Sequence, residues 1–430
     1  MSAVHAETVA PADAARDAGF FRQSGWLMVA NIGGGALMWA VHFLARRIPP
    51  GEYGNFGGFL AVIMVLPTIP LQMVLAQQTA RALATGRHGE LSGVIRLFWR
   101  GTFWFWLLAA VAALVFQRQI LTAWKVENPM ALYLTLPVVL LTLWMPMFWG
   151  VLQGQQNFLW LGWSMLSNGI GRLGVAAFAV LVLHAYAAGM LTGVLLGTAL
   201  AFGIAAWQTR ALWLCPPTAF DRRGLARQVI PLVLGFLGFQ ILFTADTMFV
   251  KTYFSEETAG FYVAAGTLSR ALMWLVLPLA AVMFPRLVHS AARAEKTNLL
   301  GVVLVGTAVL AVAGVAGLVL LGPWVVRIPY PESFARVVIP LLPWYAGAMV
   351  PLAVANVLLN DLLARPASKL GLGLAILTVA LAYMFCLTRL HSSPVQVLQV
   401  MGCFNLLLLA VCAAFRYARQ SPHRTGLPPS

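Results

Sequence analysis

Apolar side chains come in long runs along this chain, and polar residues are confined to short gaps between them. Twelve runs can be marked: Gly25–Ala45, Phe56–Ala80, Leu97–Phe116, Met130–Leu152, Leu161–Leu183, Ala187–Gln208, Val229–Val250, Gly260–Phe284, Leu299–Leu320, Val337–Asn360, Leu370–Thr388 and Pro394–Phe415. Each is near the ~20 residues a helix needs to cross a bilayer. The pattern predicts an all-α polytopic membrane protein with about 12 transmembrane helices. The stretch Met1–Ser24 is polar, alanine-rich and without apolar periodicity, which predicts a flexible tail. The first run is too long for a signal-peptide core, and no small-residue cleavage site follows it. The fifth and sixth runs are separated only by a short turn near His184–Ala187.

Composition agrees with this pattern. Of 430 residues 60% are hydrophobic and 10% charged, against about 25% charged in soluble domains. A net charge of +15 raises the question of nucleic acid, but the basic residues stand singly or in pairs in the gaps, as topology signals do. With the N-terminus placed inside, 18 of 28 Lys and Arg residues fall in cytoplasmic segments, among them Arg81, Arg87, Arg222, Arg223, Arg286 and Arg293. Eight fall outside: Arg46, Arg47, Arg118, Lys125, Lys251, Arg327, Arg336 and Arg389. The excess predicts both termini on the cytoplasmic side. The four cysteines (Cys215, Cys386, Cys403 and Cys412) have no metal-ligand spacing and read as packing residues or free thiols.

The chain also looks doubled. Glu52 and Glu257, like Arg81 and Arg286, are 205 positions apart; Gly54/Gly260 and Phe56/Tyr262 match with one residue of slip. The expected organisation is a cytoplasmic tail over 1–24, an N-lobe of helices one to six over 25–208, a cytoplasmic linker over 209–228, a C-lobe over 229–415 and a second cytoplasmic tail over 416–430. Pseudo-symmetric halves that rock about a central site are a common transporter plan.

Two stretches carry a family resemblance. Leu44–Phe59 reads LARRIPPGEYGNFGGF, and Thr244–Leu287 reads TADTMFVKTYFSEETAGFYVAAGTLSRALMWLVLPLAAVMFPRL. Both resemble the oligosaccharide and polysaccharide (O-antigen-type) flippases of the multidrug/oligosaccharidyl-lipid/polysaccharide exporter superfamily. The first looks like their first loop, the second like their seventh and eighth helices. The resemblance implies two pseudo-symmetric six-helix lobes around a central cavity in the bacterial inner membrane. It also implies transfer of a polyprenyl-diphosphate-linked glycan from the inner to the outer leaflet, with a polysaccharide polymerase and glycosyltransferases as possible partners besides membrane lipid. Neither a cofactor nor nucleic acid is implied.

Charges inside the spans indicate what could pass. A charge near the bilayer centre costs ~2.5–3.5 kcal/mol on insertion scales, so it faces a cavity or a partner. Arg172 lies near the middle of the fifth run, with Asn168 one turn earlier and Ser164, Ser167 and Gly171 on the same side. This face either lines a cavity or packs a helix contact. Arg270 has Gly266 and Trp274 at helical spacing; it either contacts substrate or stacks on Trp274. Two arginines suit a diphosphate through paired, charge-assisted hydrogen bonds. Arg46 and Arg47, at the outer end of the first run, either receive the head group after flipping or anchor the interface. His42, one turn before Arg46, is a helix-end histidine or a proton carrier.

Asp246 is the carboxylate read as lying inside a span. It either couples transport to a cation or proton, or holds helices in register. Helical rise sets Arg270 deeper by ~10 Å, so spacing alone does not require that the two pair. Asn356 and Asn360 stand at i, i+4 and either line the cavity or bond across helices, and Asp361 beyond them reads as solvated. Prolines at 67, 70, 137, 146, 278, 340, 343 and 351 predict kinked spans.

No nucleophile–base pair, phosphate-cradling glycine loop or zinc spacing appears, and no loop is large enough to hold a catalytic domain. The chain reads as a transporter and not an enzyme; a membrane glycosyltransferase or polymerase is disfavoured. The nearest rival is a cation-coupled multidrug exporter of the same superfamily, which the arginines argue against. A lipid II flippase is a further possibility, ranked behind the polysaccharide type.

Overall fold

A computed structural model describes residues 10–273, 299–364 and 369–418. These are predominantly helical, with no strand among the described residues. The order is α1 (Ala10–Ala40), a 3-10 turn (Val41–Arg47), α2 (Pro50–Met64), α3 (Thr68–Thr85), α4 (His88–Val115), α5 (Gln117–Ala123), α6 (Met130–Gly154), α7 (Phe158–Leu181), α8 (Tyr186–Gln208), α9 (Arg210–Trp213) and α10 (Arg222–Tyr253). Residues 256–273 form α11. There follow α12 (Leu299–Leu320), α13 (Gly322–Arg327), α14 (Glu332–Ala364), α15 (Lys369–Leu387) and α16 (Pro394–Ala418). Among the described residues, 11 helical segments are long and apolar enough to cross a membrane. The remaining expected span, Gly260–Phe284, begins in α11 and continues outside the described residues.

The second run is broken. It starts at Pro50 and divides into α2 and α3 around Val65–Pro67, because Pro67 lacks the amide and fixes φ. Pro137 and Pro146 in α6, and Pro340, Pro343 and Pro351 in α14, are instead held within helices. The turn between α7 and α8 is built on positive φ at His184 (51°) and Tyr186 (38°). Several helices extend beyond their apolar runs. α4 begins at His88, nine residues before the run, because Ser92 and Arg96 hydrogen-bond the chain near Cys215: Ser92 Oγ donates to the Cys215 carbonyl (2.6 Å), and Arg96 to the carbonyls of Trp213, Leu214 and Cys215.

Backbone contacts group the chain into two compact units. One contains His42 and the described residues before it, with Leu71–Phe116 and Leu132–Asp221; the other contains Phe43–Pro70, Gln117–Ala131 and the described residues from Arg222 onward. Two stretches of the first half thus pack with the second unit. In the first unit α7 lies between α1 and α8, and α6 packs on α3 through Gly150 and Gly154. A Cβ at Gly150 would stand 2.4 Å from the Gln72 carbonyl oxygen, an approach that only glycine permits.

In the second unit α10 packs on α2, α14, α15 and α16. There the two copies of the repeated motif meet. A Cβ at Gly54 would stand 2.9 Å from the Gly260 nitrogen, and one at Gly260 would stand 2.0 Å from the Pro50 carbonyl oxygen. Gly51 and Gly57 continue the stripe against Glu256 and Val263. The i, i+3 glycines of α2 form a flat face on which α11 lies backbone to backbone. Phe56 and Tyr262, equivalent in the repeat, are both fully buried. Trp124 secures the segment after α5 by donating to Thr252 Oγ1 of α10 at 3.1 Å.

Candidate functional site

Several buried polar side chains of the first unit meet on α7. Asn157 caps this helix by accepting from the Trp160 amide at 3.4 Å. Two turns further on, the small-residue face points at α8 and α6. Trp149 Nε1 donates to Ser164 Oγ (2.7 Å), and Ser164 Oγ donates to the Ala201 carbonyl (2.7 Å). Asn168 is buried, with Nδ2 on Met145 Sδ at 3.8 Å. A Cβ at Gly197 would stand 2.5 Å from the Asn168 carbonyl oxygen and 2.7 Å from the Arg172 nitrogen. Ser164, Asn168 and Gly171 therefore pack a tight helix contact and do not line an open cavity: glycine opposite glycine leaves no room for one. Arg172 emerges half-buried at the edge of this contact. Buried His42 lies within its electrostatic reach.

The second unit holds a different arrangement. Asp246 is fully buried, and Arg270 Nη2 contacts its Oδ1 at 2.7 Å. Arg270 also donates from Nε to the Phe243 carbonyl (3.0 Å) and from Nη2 to Thr247 Oγ1 (2.8 Å). The second carboxylate oxygen accepts the Tyr262 hydroxyl at 3.0 Å and the Tyr345 hydroxyl. Gly266 makes this possible, since a Cβ there would meet the Tyr345 hydroxyl at 2.8 Å. The guanidinium lies over the rings of Phe243 and Tyr345, 5.5 Å from each centroid. The ~10 Å difference in depth from helical rise is closed by side-chain direction. α10 and α11 run antiparallel, and helical side chains lean toward their own N-terminus. Asp246 thus leans deeper and Arg270 leans outward, and they meet. Trp274, the stacking partner expected from spacing, lies outside the described residues.

Other polar residues are placed differently from what their spacing implies. Asn360 Nδ2 donates to the Asn356 carbonyl (2.8 Å) and to its Oδ1 (3.1 Å), so this pair bonds along its own helix. Asp361 is not simply solvated: it pairs with Arg416 at 3.7 Å, and its side chain is 9% exposed. Lys251, counted among the outer loop residues, is 1% exposed in the last turn of α10, in the fields of Glu256 and Glu52. At the arginines that end the 3-10 turn, Arg46 Nη2 donates to the Arg327 carbonyl, and Arg327 pairs with Glu332 at 3.0 and 3.3 Å. No site role for Arg327, Tyr262, Tyr345 or Thr247 was expected from the sequence. Only Tyr262 carried a signal, through its place in the repeat.

Among the described residues no group of His, Cys, Asp or Glu is arranged to hold a metal ion.

Comparison with known proteins places this geometry. The chain is similar in structure to an inward-facing multidrug resistance MATE family transporter of the MOP superfamily, with a TM-score of 0.70, 12% identity, and coverage of 95% of this chain and 100% of that one. It is similar to the lipid II flippase MurJ in an inward closed conformation, with a TM-score of 0.68, 12% identity, and coverage of 92% and 87%. A MOP superfamily transporter from Pyrococcus furiosus, described as having a binding pocket of reversed polarity, matches with a TM-score of 0.57 and 14% identity over 93% and 95%. No curated protein matches. The family model described as lipid II flippase MurJ matches residues 61–420. The match spans most of the chain, so the protein belongs to the lipid II flippase MurJ family, whose members are transporters and not enzymes.

Proposed function

We propose that the protein flips a lipid-linked saccharide carrying an anionic diphosphate across the bacterial inner membrane by alternating access, with both termini cytoplasmic. The family description names lipid II, and the motif resemblance names a polyprenyl-diphosphate-linked oligosaccharide. The two share the chemistry that matters here: a polar head that cannot cross hydrocarbon unaided, joined to a tail that stays in lipid. Arg172 is the residue assigned to the diphosphate, with His42 beside it.

One observation carries the sign of the substrate. Asp246, the acid read as lying within a span, is bonded to Arg270 and two tyrosines. That leaves it unavailable as the cation ligand of a drug exporter. Arg270 is engaged by the same network, so its role is to hold α10, α11 and α14 together while Arg172 meets the substrate.

The test is substrate preference in reconstituted vesicles. Fluorescent lipid II, a fluorescent polyprenyl-diphosphate oligosaccharide and a cationic dye are offered in parallel. The reading expects transfer of at least one of the lipids and no transport of the dye. Dye transport without lipid transfer would favour the multidrug exporter.

A further inference from the structure

Arg46, Arg47, Arg327, Tyr330, Pro331 and Glu332 line a cavity of about 500 Å³ in the second unit, within the size range of small-ligand sites. Its three guanidinium groups come from two separate segments. Arg46 and Arg47 end the 3-10 turn, where successive side chains fan out at about 120°, and buried Leu44, Ala45 and Ile48 fix that turn. Arg327 ends α13. Arg46 is anchored on the Arg327 carbonyl, which brings like charges together. Among the described residues, the carboxylate lining the cavity is Glu332, which occupies the fork of Arg327, and its hydrogen bond raises the Arg327 pKa further. Tyr330 adds no charge: burial holds its phenol well above the ordinary range, and its hydroxyl is bonded to Tyr53 at 2.9 Å.

Three cations facing one anion leave an excess of two positive charges around a space of ligand size. Such an arrangement is stabilised by a multiply charged anion. Planar guanidinium groups match phosphate oxygens in pairs. We propose that Arg46, Arg47 and Arg327 form a diphosphate-binding site, built from different residues than the Arg172 site, that holds the head of the lipid carrier at the side assigned as outer. Glu332 is its internal competitor: it keeps Arg327 in place when the site is empty and is displaced when the diphosphate enters. This assignment rests on the flippase reading for the identity of the ligand, but not for the chemistry of the site.

Titration of inorganic pyrophosphate into the full-length protein in phosphatidylcholine nanodiscs tests it. Saturable binding is expected. Arg47→Gln is expected to weaken binding at least ten-fold, the scale of one charge-assisted contact. Glu332→Gln is expected to tighten it several-fold, a gain that misfolding cannot mimic. Arg118→Gln, at an exposed arginine of α5 that belongs to neither site, is expected to leave it unchanged. Absence of binding, or Glu332→Gln and Arg47→Gln variants that bind like wild type, would overturn the site. A second arm repeats the titration with phosphatidylglycerol in the nanodiscs. Retained affinity supports a diphosphate site, whereas suppression by this lipid would overturn the assignment in favour of an ordinary phospholipid contact. Lipid transfer by the wild-type protein, measured separately, decides the flippase reading whichever way the titration falls.

Discussion

A charge buried in a membrane protein is explained by what surrounds it, and Asp246 and Arg270 show this at the scale of single residues. Asp246 has partners on both oxygens, and Arg270 is held by a carboxylate, a hydroxyl and a carbonyl. Removing one member of such a pair strands the other, at a cost of about 3–5 kcal/mol. Asp246→Asn should therefore lower the unfolding temperature in detergent sharply, while Asp246→Asn combined with Arg270→Gln recovers part of the loss. If the two single losses simply add in the double variant, the pair is not coupled. Both residues stood out in the sequence as intramembrane charges, but their pairing did not. Residue spacing records only rise along a helix, and the pairing depends on two side chains leaning toward each other from antiparallel helices. The tyrosines were hidden for a related reason: Tyr345 comes from α14, far along the chain, and reaches Asp246 only where Gly266 leaves space.

Between elements, close contacts in both units are made by glycine. Gly54 and Gly260 were visible as equivalent positions in a repeat, but their mutual contact was not, since a repeat shows likeness and not proximity. The small residues of α7 were visible as a polar, narrow face; they bury that face against α8 because Gly193 and Gly197 lie opposite it. Gly260→Ala should destabilise the protein by about 1–3 kcal/mol through overpacking, because its Cβ would fall 2.0 Å from the Pro50 carbonyl oxygen. Gly203→Ala and Gly317→Ala, where a Cβ would meet nothing within 4 Å, serve as controls and should be near neutral. Thermal unfolding of the three variants side by side checks this; equal stability would contradict the packing argument.

At the scale of the whole molecule, the apolar runs predicted the 11 membrane-length helical segments among the described residues, because the length of an apolar run follows directly from bilayer thickness. Helix ends were less legible: polar turns such as His88–Arg96 are helical owing to contacts that hydropathy does not register. Orientation rests on the distribution of Lys and Arg. In a background with the four native cysteines replaced, Glu127→Cys and Glu257→Cys should react with an impermeant maleimide from outside intact cells, and Asp221→Cys only after lysis. The reverse pattern would invert the topology. The central claim is that Arg172 carries an anionic, lipid-linked head across the membrane. It is tested most directly by the transfer rate of a fluorescent lipid-linked saccharide in proteoliposomes made with wild type and with Arg172→Gln at matched thermal stability. The account predicts at least a ten-fold slower rate for Arg172→Gln, the loss of about one charge-assisted contact. Equal rates would contradict it.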